Sequence, residues 1–227
     1  MSKTSTRRTV SRSAPVSRKP LPRRRSRTDV ALLLAVIAGV AILALVIAIV
    51  ATKDSSDGVG SGIEQSRPVT VSGAALPTLP DSGTDPAAGR VAPALNGAGF
   101  DGSSVVIGND SRPKIIVFVA HWCPHCRAEI PVIERWLEQA GEPQGVDLYA
   151  VSTAVNAASP NYPPSRWLET WPVTTLADNS TDIAAAAFGV NAYPFFVVVR
   201  ANGTVALRVT GELTPAQLTD LVEIART

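Results

Sequence analysis

The chain has 227 residues, with 21 Lys or Arg against 19 Asp or Glu, 45% hydrophobic residues and two cysteines. The net charge of +2 conceals a split: ten basic residues and one acid, Asp29, lie in positions 1–29, leaving 11 basic and 18 acidic residues from Thr52 onward, a net of −7. A surface of that sign repels phosphate backbones, which argues against a nucleic-acid binder, and two cysteines are too few for a disulfide-built scaffold.

Residues 1–29 interleave their basic residues with Ser, Thr and Pro. They bury too little apolar surface to offset chain entropy and are expected to be a disordered cytoplasmic tail. Val30–Ala51, "VALLLAVIAGVAILALVIAIVA", contains no charge, amide or proline. As a helix it spans roughly 33 Å at about 1.5 Å per residue, against a hydrocarbon core of about 30 Å, so a transmembrane helix is expected. Cleaved signals carry apolar runs of about 7–15 residues, which favours an uncleaved signal-anchor in the cell membrane. The basic residues ahead of the run place the N-terminus in the cytoplasm and the remainder outside. Residues 52–89 read as an extracytoplasmic linker, Gly- and Ser-rich at first. Val69 and Val71 then alternate with polar residues, so 67–80 reads either as an added edge strand or as more linker.

A compact domain is expected over 90–227. "KIIVFVA" (114–120) reads as a strand buried on both faces. Pro124 to Ala140 reads as a helix with apolar Ile130, Ile133, Trp136 and Leu137, stopped by Gly141. "VDLYAVST" (146–153) is a second buried strand, and strand, helix, strand at this spacing implies a parallel pair with a right-handed crossover. A short helix opened by proline (163–171), a strand (173–177) and a helix stopped by Gly189 follow. Residues 195–211 read as two strands around Asn202-Gly203, the signal of a type I′ hairpin. Thr214 caps a closing helix with apolar Leu218, Leu221, Val222 and Ile224. The expected class is α/β.

Both cysteines and both histidines fall in one hexapeptide, "HWCPHC" (121–126). Cys123 and Cys126 come at the exit of a buried strand and in the first turn of a helix, where free N–H groups and the helix dipole favour negative charge. A thiolate at Cys123 would be stabilised there, and thiolates are the nucleophiles of disulfide exchange. On the residues alone a structural staple and a metal site also stay open. A CxxC loop is too short to remove much unfolded-state entropy. As metal ligands, His121, Cys123, His125 and Cys126 lack the two separated pairs of a typical zinc site, and strand alternation turns His121 from the catalytic face toward solvent or packing. Copper(I) on the two thiolates is the surviving metal reading.

The segment "WCPHCRAEIP" (122–131) resembles the thioredoxin superfamily, and within it the membrane-anchored, TlpA-like extracytoplasmic branch with its W-C-x-x-C-[RK]-x-E-x-P pattern. "YP" at Tyr193-Pro194 is similar in position to the superfamily's cis-proline, and "VAPALNGAGFDG" (91–102) to the opening of that branch. The resemblance covers roughly residues 90–227. It implies a thioredoxin-like fold, a mixed central sheet flanked by helices, and a thiol:disulfide oxidoreductase with no cofactor and no resident metal. It further implies that Cys123 is the exposed attacking thiol and Cys126 the buried resolving thiol, joined in a redox-active disulfide. Pro194 would be cis, and Tyr193 and Trp122 would contact substrate beside the sulfurs. Pro124 and His125 are similar to the dipeptide of DsbA-type oxidases, and a protonated His125 would make the disulfide more oxidising. Where thioredoxin keeps a buried acid, six residues before its first cysteine, this chain has Val117, and Glu129 is the nearest acid for proton transfer. The partners implied are exported thiol- or disulfide-containing proteins and a membrane redox partner that recycles the pair. The dipeptide tips the direction toward oxidation. The branch suggests reduction of specific exported targets such as apocytochromes, and copper(I) delivery without catalysis is a third reading.

Overall fold

The computed structural model describes residues 62–227. The expected tail (1–29), membrane span (30–51) and first part of the linker lie outside the described residues. Among the described residues, no helix is long and apolar enough to cross a membrane.

The elements run β1 (Thr70–Ser72), β2 (Ala94–Ala98), β3 (Ser104–Ile107), β4 (Lys114–Val119), α1 (Pro124–Ala140), β5 (Asp147–Ser152), α2 (Pro164–Trp167), β6 (Thr174–Ala177), α3 (Ile183–Phe188), β7 (Phe195–Val199), β8 (Val205–Thr210) and α4 (Pro215–Arg226). Five strands form a central sheet in the order β6-β5-β4-β7-β8. β4, β5 and β6 are parallel, whereas β7 and β8 are antiparallel to their neighbours, so the sheet is mixed as expected.

β4 sits at the centre with all six residues buried. Its side chains alternate between two cores, as the two-residue period of a strand requires. Ile115, Val117 and Val119 join Ile130, Ile133 and Trp136 of α1 and Leu218, Leu221 and Val222 of α4. Ile116 and Phe118 join Phe188 of α3 and Leu95, Val105 and Ile107 of β2 and β3. Phe118 is ringed by Phe188 and Phe195 at centroid distances of 5.3 and 6.3 Å. α1 and α4 are tied by the Trp136 indole N–H, which donates to the Thr219 hydroxyl at 3.1 Å.

Residues 67–89 lie along this domain. β1 pairs antiparallel with β2 in a separate three-stranded sheet, β1-β2-β3. Leu76 and Ala87 are buried in the second core. The Arg208 guanidinium, whose side chain is fully buried, reaches Asp85 at 2.5 and 3.0 Å and donates to the carbonyls of Pro77 and Phe188. Residues 89–92 run beside the start of β8: Gly89 N–H donates to Val205 O, Val205 N–H to Arg90 O, and Ala92 N–H to Gly203 O.

The hairpin differs from its expected form. Of Asn202-Gly203 only Gly203 takes a positive φ, +79°, whereas a type I′ turn needs both. Gly203 N–H donates to Arg200 O, and Arg200 N–H to Thr204 O, giving a three-residue loop with a glycine bulge. The Asn202 side chain instead accepts from the N–H and hydroxyl of Thr204.

An Asp85→Ala substitution leaves the Arg208 charge buried and unpaired. It should cost about 3–5 kcal/mol, read as a lowered denaturant midpoint with an unchanged slope.

Candidate functional site

β4 delivers the chain into a tight turn, in which Cys123 N–H donates to Ala120 O at 3.0 Å. Cys123 is the N-cap of α1, with extended backbone (φ −71°, ψ 122°), and Pro124 occupies the first helical position, where its missing N–H costs nothing. Cys126 follows in the first turn. Both cysteines are free thiols. Cys126 is completely buried, and Cys123 keeps 6% of its surface, so the expected exposed thiol is itself largely covered. Its cover is Tyr193: the Cys123 thiol donates to the Tyr193 carbonyl at 3.3 Å. The Tyr193-Pro194 bond is cis. The Pro194 carbonyl accepts from Gly211 N–H at 2.9 Å and from the Thr210 hydroxyl at 3.1 Å, which holds the segment against β8. The Trp122 ring stands edge-on to Tyr193 at 6.1 Å and is partly exposed at the rim.

His121 is wholly buried, so of solvent and packing the structure assigns it packing. Its Nδ1–H donates to Pro160 O at 2.7 Å and its Nε2 accepts from Asn156 N–H at 3.1 Å. A backbone donor on Nε2 and an acceptor at Nδ1 fix the neutral tautomer. The His121 carbonyl accepts from the Asn161 amide, and the Trp122 indole N–H donates to Ala154 O at 2.7 Å. The first two residues of the hexapeptide therefore fasten the loop 154–163 beside the sulfurs. Asp182, the N-cap residue of α3, holds the start of the same loop, accepting from Ala154 N–H at 2.8 Å and from the Thr153 hydroxyl. Among the described residues, no group of three or more His, Cys, Asp or Glu side chains is placed to hold a metal ion.

Two acids frame the other side. Glu129, one turn beyond Cys126, is wholly buried, and its Oε2 accepts from Leu213 N–H at 2.9 Å. Its Oε1 has no partner among the described residues. Burial pushes its carboxyl up to about 7 against the single backbone bond that opposes it, with a smaller push from Glu212. Burial likewise raises the Cys126 thiol, which stays protonated at neutral pH, with Glu129 adding to the same effect. His125 is exposed, and its Nδ1 meets Glu212 Oε1 at 2.7 Å. The imidazole is thus held by a carboxylate from the loop after β8.

Sequence reasoning placed Trp122, Cys123, Cys126, Tyr193 and Pro194 in one region, and the structure brings them together. It passed over Thr153, Asp182, Glu212 and Leu213. Glu212 lies 87 residues from His125, and a surface acid after a strand carries no local mark. The one legible sign nearby was Thr214-x-x-Gln217, a reciprocal capping box that fixes where α4, and hence residues 212–213, begins.

Because the buried Glu129 carboxyl holds its proton to about 7, against an ordinary value of 4.5, the folded state binds more protons than the unfolded chain between those pH values. Stability should therefore fall as pH rises through that window. Relative to Glu129→Gln the wild type should lose on the order of 3 kcal/mol, measured by urea titrations at pH 4.5 and 8; parallel curves would contradict the assignment.

Residues 87–223 match the family described as Redoxin. No curated protein matches the chain. Among solved structures the chain is similar to a thiol:disulfide interchange protein of the thioredoxin family from Chlorobium tepidum TLS, at 22% identity over 60% of this chain and 96% of that one, with a TM-score of 0.50. It is also similar to the thioredoxin domain of a thiol-disulfide oxidoreductase from Bacteroides vulgatus (24% identity, 60% and 96% covered, TM-score 0.47). A third is a secreted disulfide oxidoreductase of Mycobacterium tuberculosis (20% identity, 53% and 89% covered, TM-score 0.42). The first likeness is one of fold, and the thioredoxin-like arrangement of sheet and helices agrees with it.

Proposed function

The chain belongs to the Redoxin family and is a thiol:disulfide oxidoreductase, and from that premise we propose that it exchanges disulfides with exported proteins through Cys123 and Cys126 while anchored in the cell membrane. The observation that carries the exchange is the Cys123 thiol against the Tyr193 carbonyl with Cys126 buried behind it. A client chain laid along Tyr193 would pair with backbone at the point where its own sulfur must meet Cys123. The anchor and the extracytoplasmic placement are supported by the charge-free run Val30–Ala51 and the ten basic residues ahead of it.

In the oxidising direction a client thiolate attacks the sulfur of Cys123 in the Cys123–Cys126 disulfide. The disulfide breaks, and Cys126 leaves as a thiolate. Its raised affinity for a proton draws one from the Glu129 carboxyl, the buried acid one turn away. A second client thiolate then attacks the mixed disulfide, Cys123 leaves, and the client keeps the disulfide while two electrons remain on the cysteine pair. Reduction of a client is the same sequence reversed, with Glu129 as carboxylate accepting the Cys126 proton as that sulfur attacks. A membrane redox partner must return the pair to its starting state.

Pro124-His125 supports oxidation of exported thiols as the working direction. The Glu212 carboxylate on His125 favours the second reading, reduction of specific exported targets, because it offsets the cation that would stabilise a Cys123 thiolate.

Cys123→Ser in the full chain should abolish turnover of thiol peptides, and Cys126→Ser should accumulate a mixed disulfide visible on a non-reducing gel. Equilibration with glutathione separates the directions: a potential near the about −120 mV of DsbA supports oxidation, and one near the about −270 mV of thioredoxin supports reduction. Unabated turnover in the serine variant at position 123 would overturn the exchange itself.

A further inference from the structure

The loop Gly211–Leu213 touches both sides of the site. Glu212 meets His125 within the CxxC segment at 2.7 Å, and the next residue, Leu213, gives its N–H to Glu129 at 2.9 Å. The loop is fixed at both ends: Gly211 N–H donates to Pro194 O, and Thr214 opens α4 in its capping box with Gln217. Glu212 therefore has little freedom to move independently of the Leu213 bond. We propose that Glu212 is a positioning residue of the exchange reaction, which, paired with His125, sets the charge state of the buried Glu129 and so the pH range in which Cys126 can give up or take back its proton. The proposal rests on the exchange reading above.

The charges converge as follows. Glu129 carries a carboxyl with one oxygen bonded to the loop and the other without a partner, so little in its surroundings offsets added negative charge. The titratable groups that act on it are Cys126 on its own helix and Glu212 on the loop packed against it. Glu212 is half-exposed, and the imidazole of His125 lies directly on it. The ring takes up part of the Glu212 carboxylate's hydrogen-bonding and charge, and without it that charge is left to bear on Glu129.

The test uses the full-length protein and two readouts. The first is the Glu129 carboxyl titration by carbon-13 NMR of glutamate-labelled protein, assigned with Glu129→Gln. The second is the pH profile of the Cys126-driven release of a peptide held on Cys123 as a mixed disulfide. Wild type should show release rising with pH through an inflection near the Glu129 titration. Glu212→Gln removes the charge without shortening the side chain, and it should move both the titration and the inflection to lower pH. Release at pH 6 should then be roughly twofold to fivefold faster, the size expected of a half-exposed charge. His125→Ala leaves Glu212 uncompensated and should move both to higher pH. Superimposable profiles and titrations for wild type, Glu212→Gln and His125→Ala, with Glu129→Gln still flattening the release profile, would overturn the proposal and leave the proton-relay reading intact. If Glu129→Gln changes nothing either, the relay itself falls. A purely structural role for Glu212 would lower stability without moving the NMR titration, and that outcome also overturns the proposal.

Discussion

The site depends on desolvation at the mouth of a strand that is buried on both faces. Every residue of β4 is buried, so the turn that follows it and the first turn of α1 start from within the core. Cys126 and Glu129 lie three residues apart on the inner face of α1, and neither can ionise cheaply there. Burial raises both groups, and Glu129 adds to the rise of the Cys126 thiol. Val117, on the sheet side, packs among aliphatic neighbours, and the buried carboxyl comes from the helix instead.

The chemistry is held in place from two directions by residues with no role in electron transfer. On one side His121 and Trp122 hold the loop after β5, using a ring with both nitrogens committed and an indole N–H bonded to Ala154. On the other side Pro194 is hung from β8 and the Gly211–Leu213 loop closes over Glu129. Ala154 and Asp182, joined by a hydrogen bond, both take left-handed backbone conformations that few non-glycine residues adopt (φ +52° and +57°). Such conformations persist where neighbours over-determine them, and here those neighbours are the Trp122 indole and the Thr153 hydroxyl.

Much of the fold was legible because it rests on short-range pattern. The unbroken apolar run at 114–120, the helical spacing of Ile130, Ile133 and Trp136, and the cap at Thr214 each state their structure locally, whereas the CxxC segment narrowed the chemistry only once its family resemblance was added to its composition. What stayed hidden is set by contacts between distant residues. Arg208 looks like an ordinary charged strand residue until Asp85, 123 positions earlier, is brought to it. His121 was expected to meet solvent or packing, and its burial settles on packing, but its partners Pro160 and Asn156 lie on a distant loop that carries no local mark. Asn202-Gly203 suggested a two-residue turn, yet the asparagine side chain had a better use in bonding Thr204, and one glycine sufficed for the bend.

The chain at 89–92, bonded to Val205 at the start of β8 and to Gly203 just before it, has a bearing on association. Outer strands with vacant amides invite identical molecules to dock side by side and grow into ordered aggregates. Here that row is occupied at its first residue by the protein's own upstream segment, and the strength of that seal depends in part on the Asp85–Arg208 pair that fastens the same stretch. With that stretch closed, the sheet offers a neighbouring copy a shorter run of free backbone on this side.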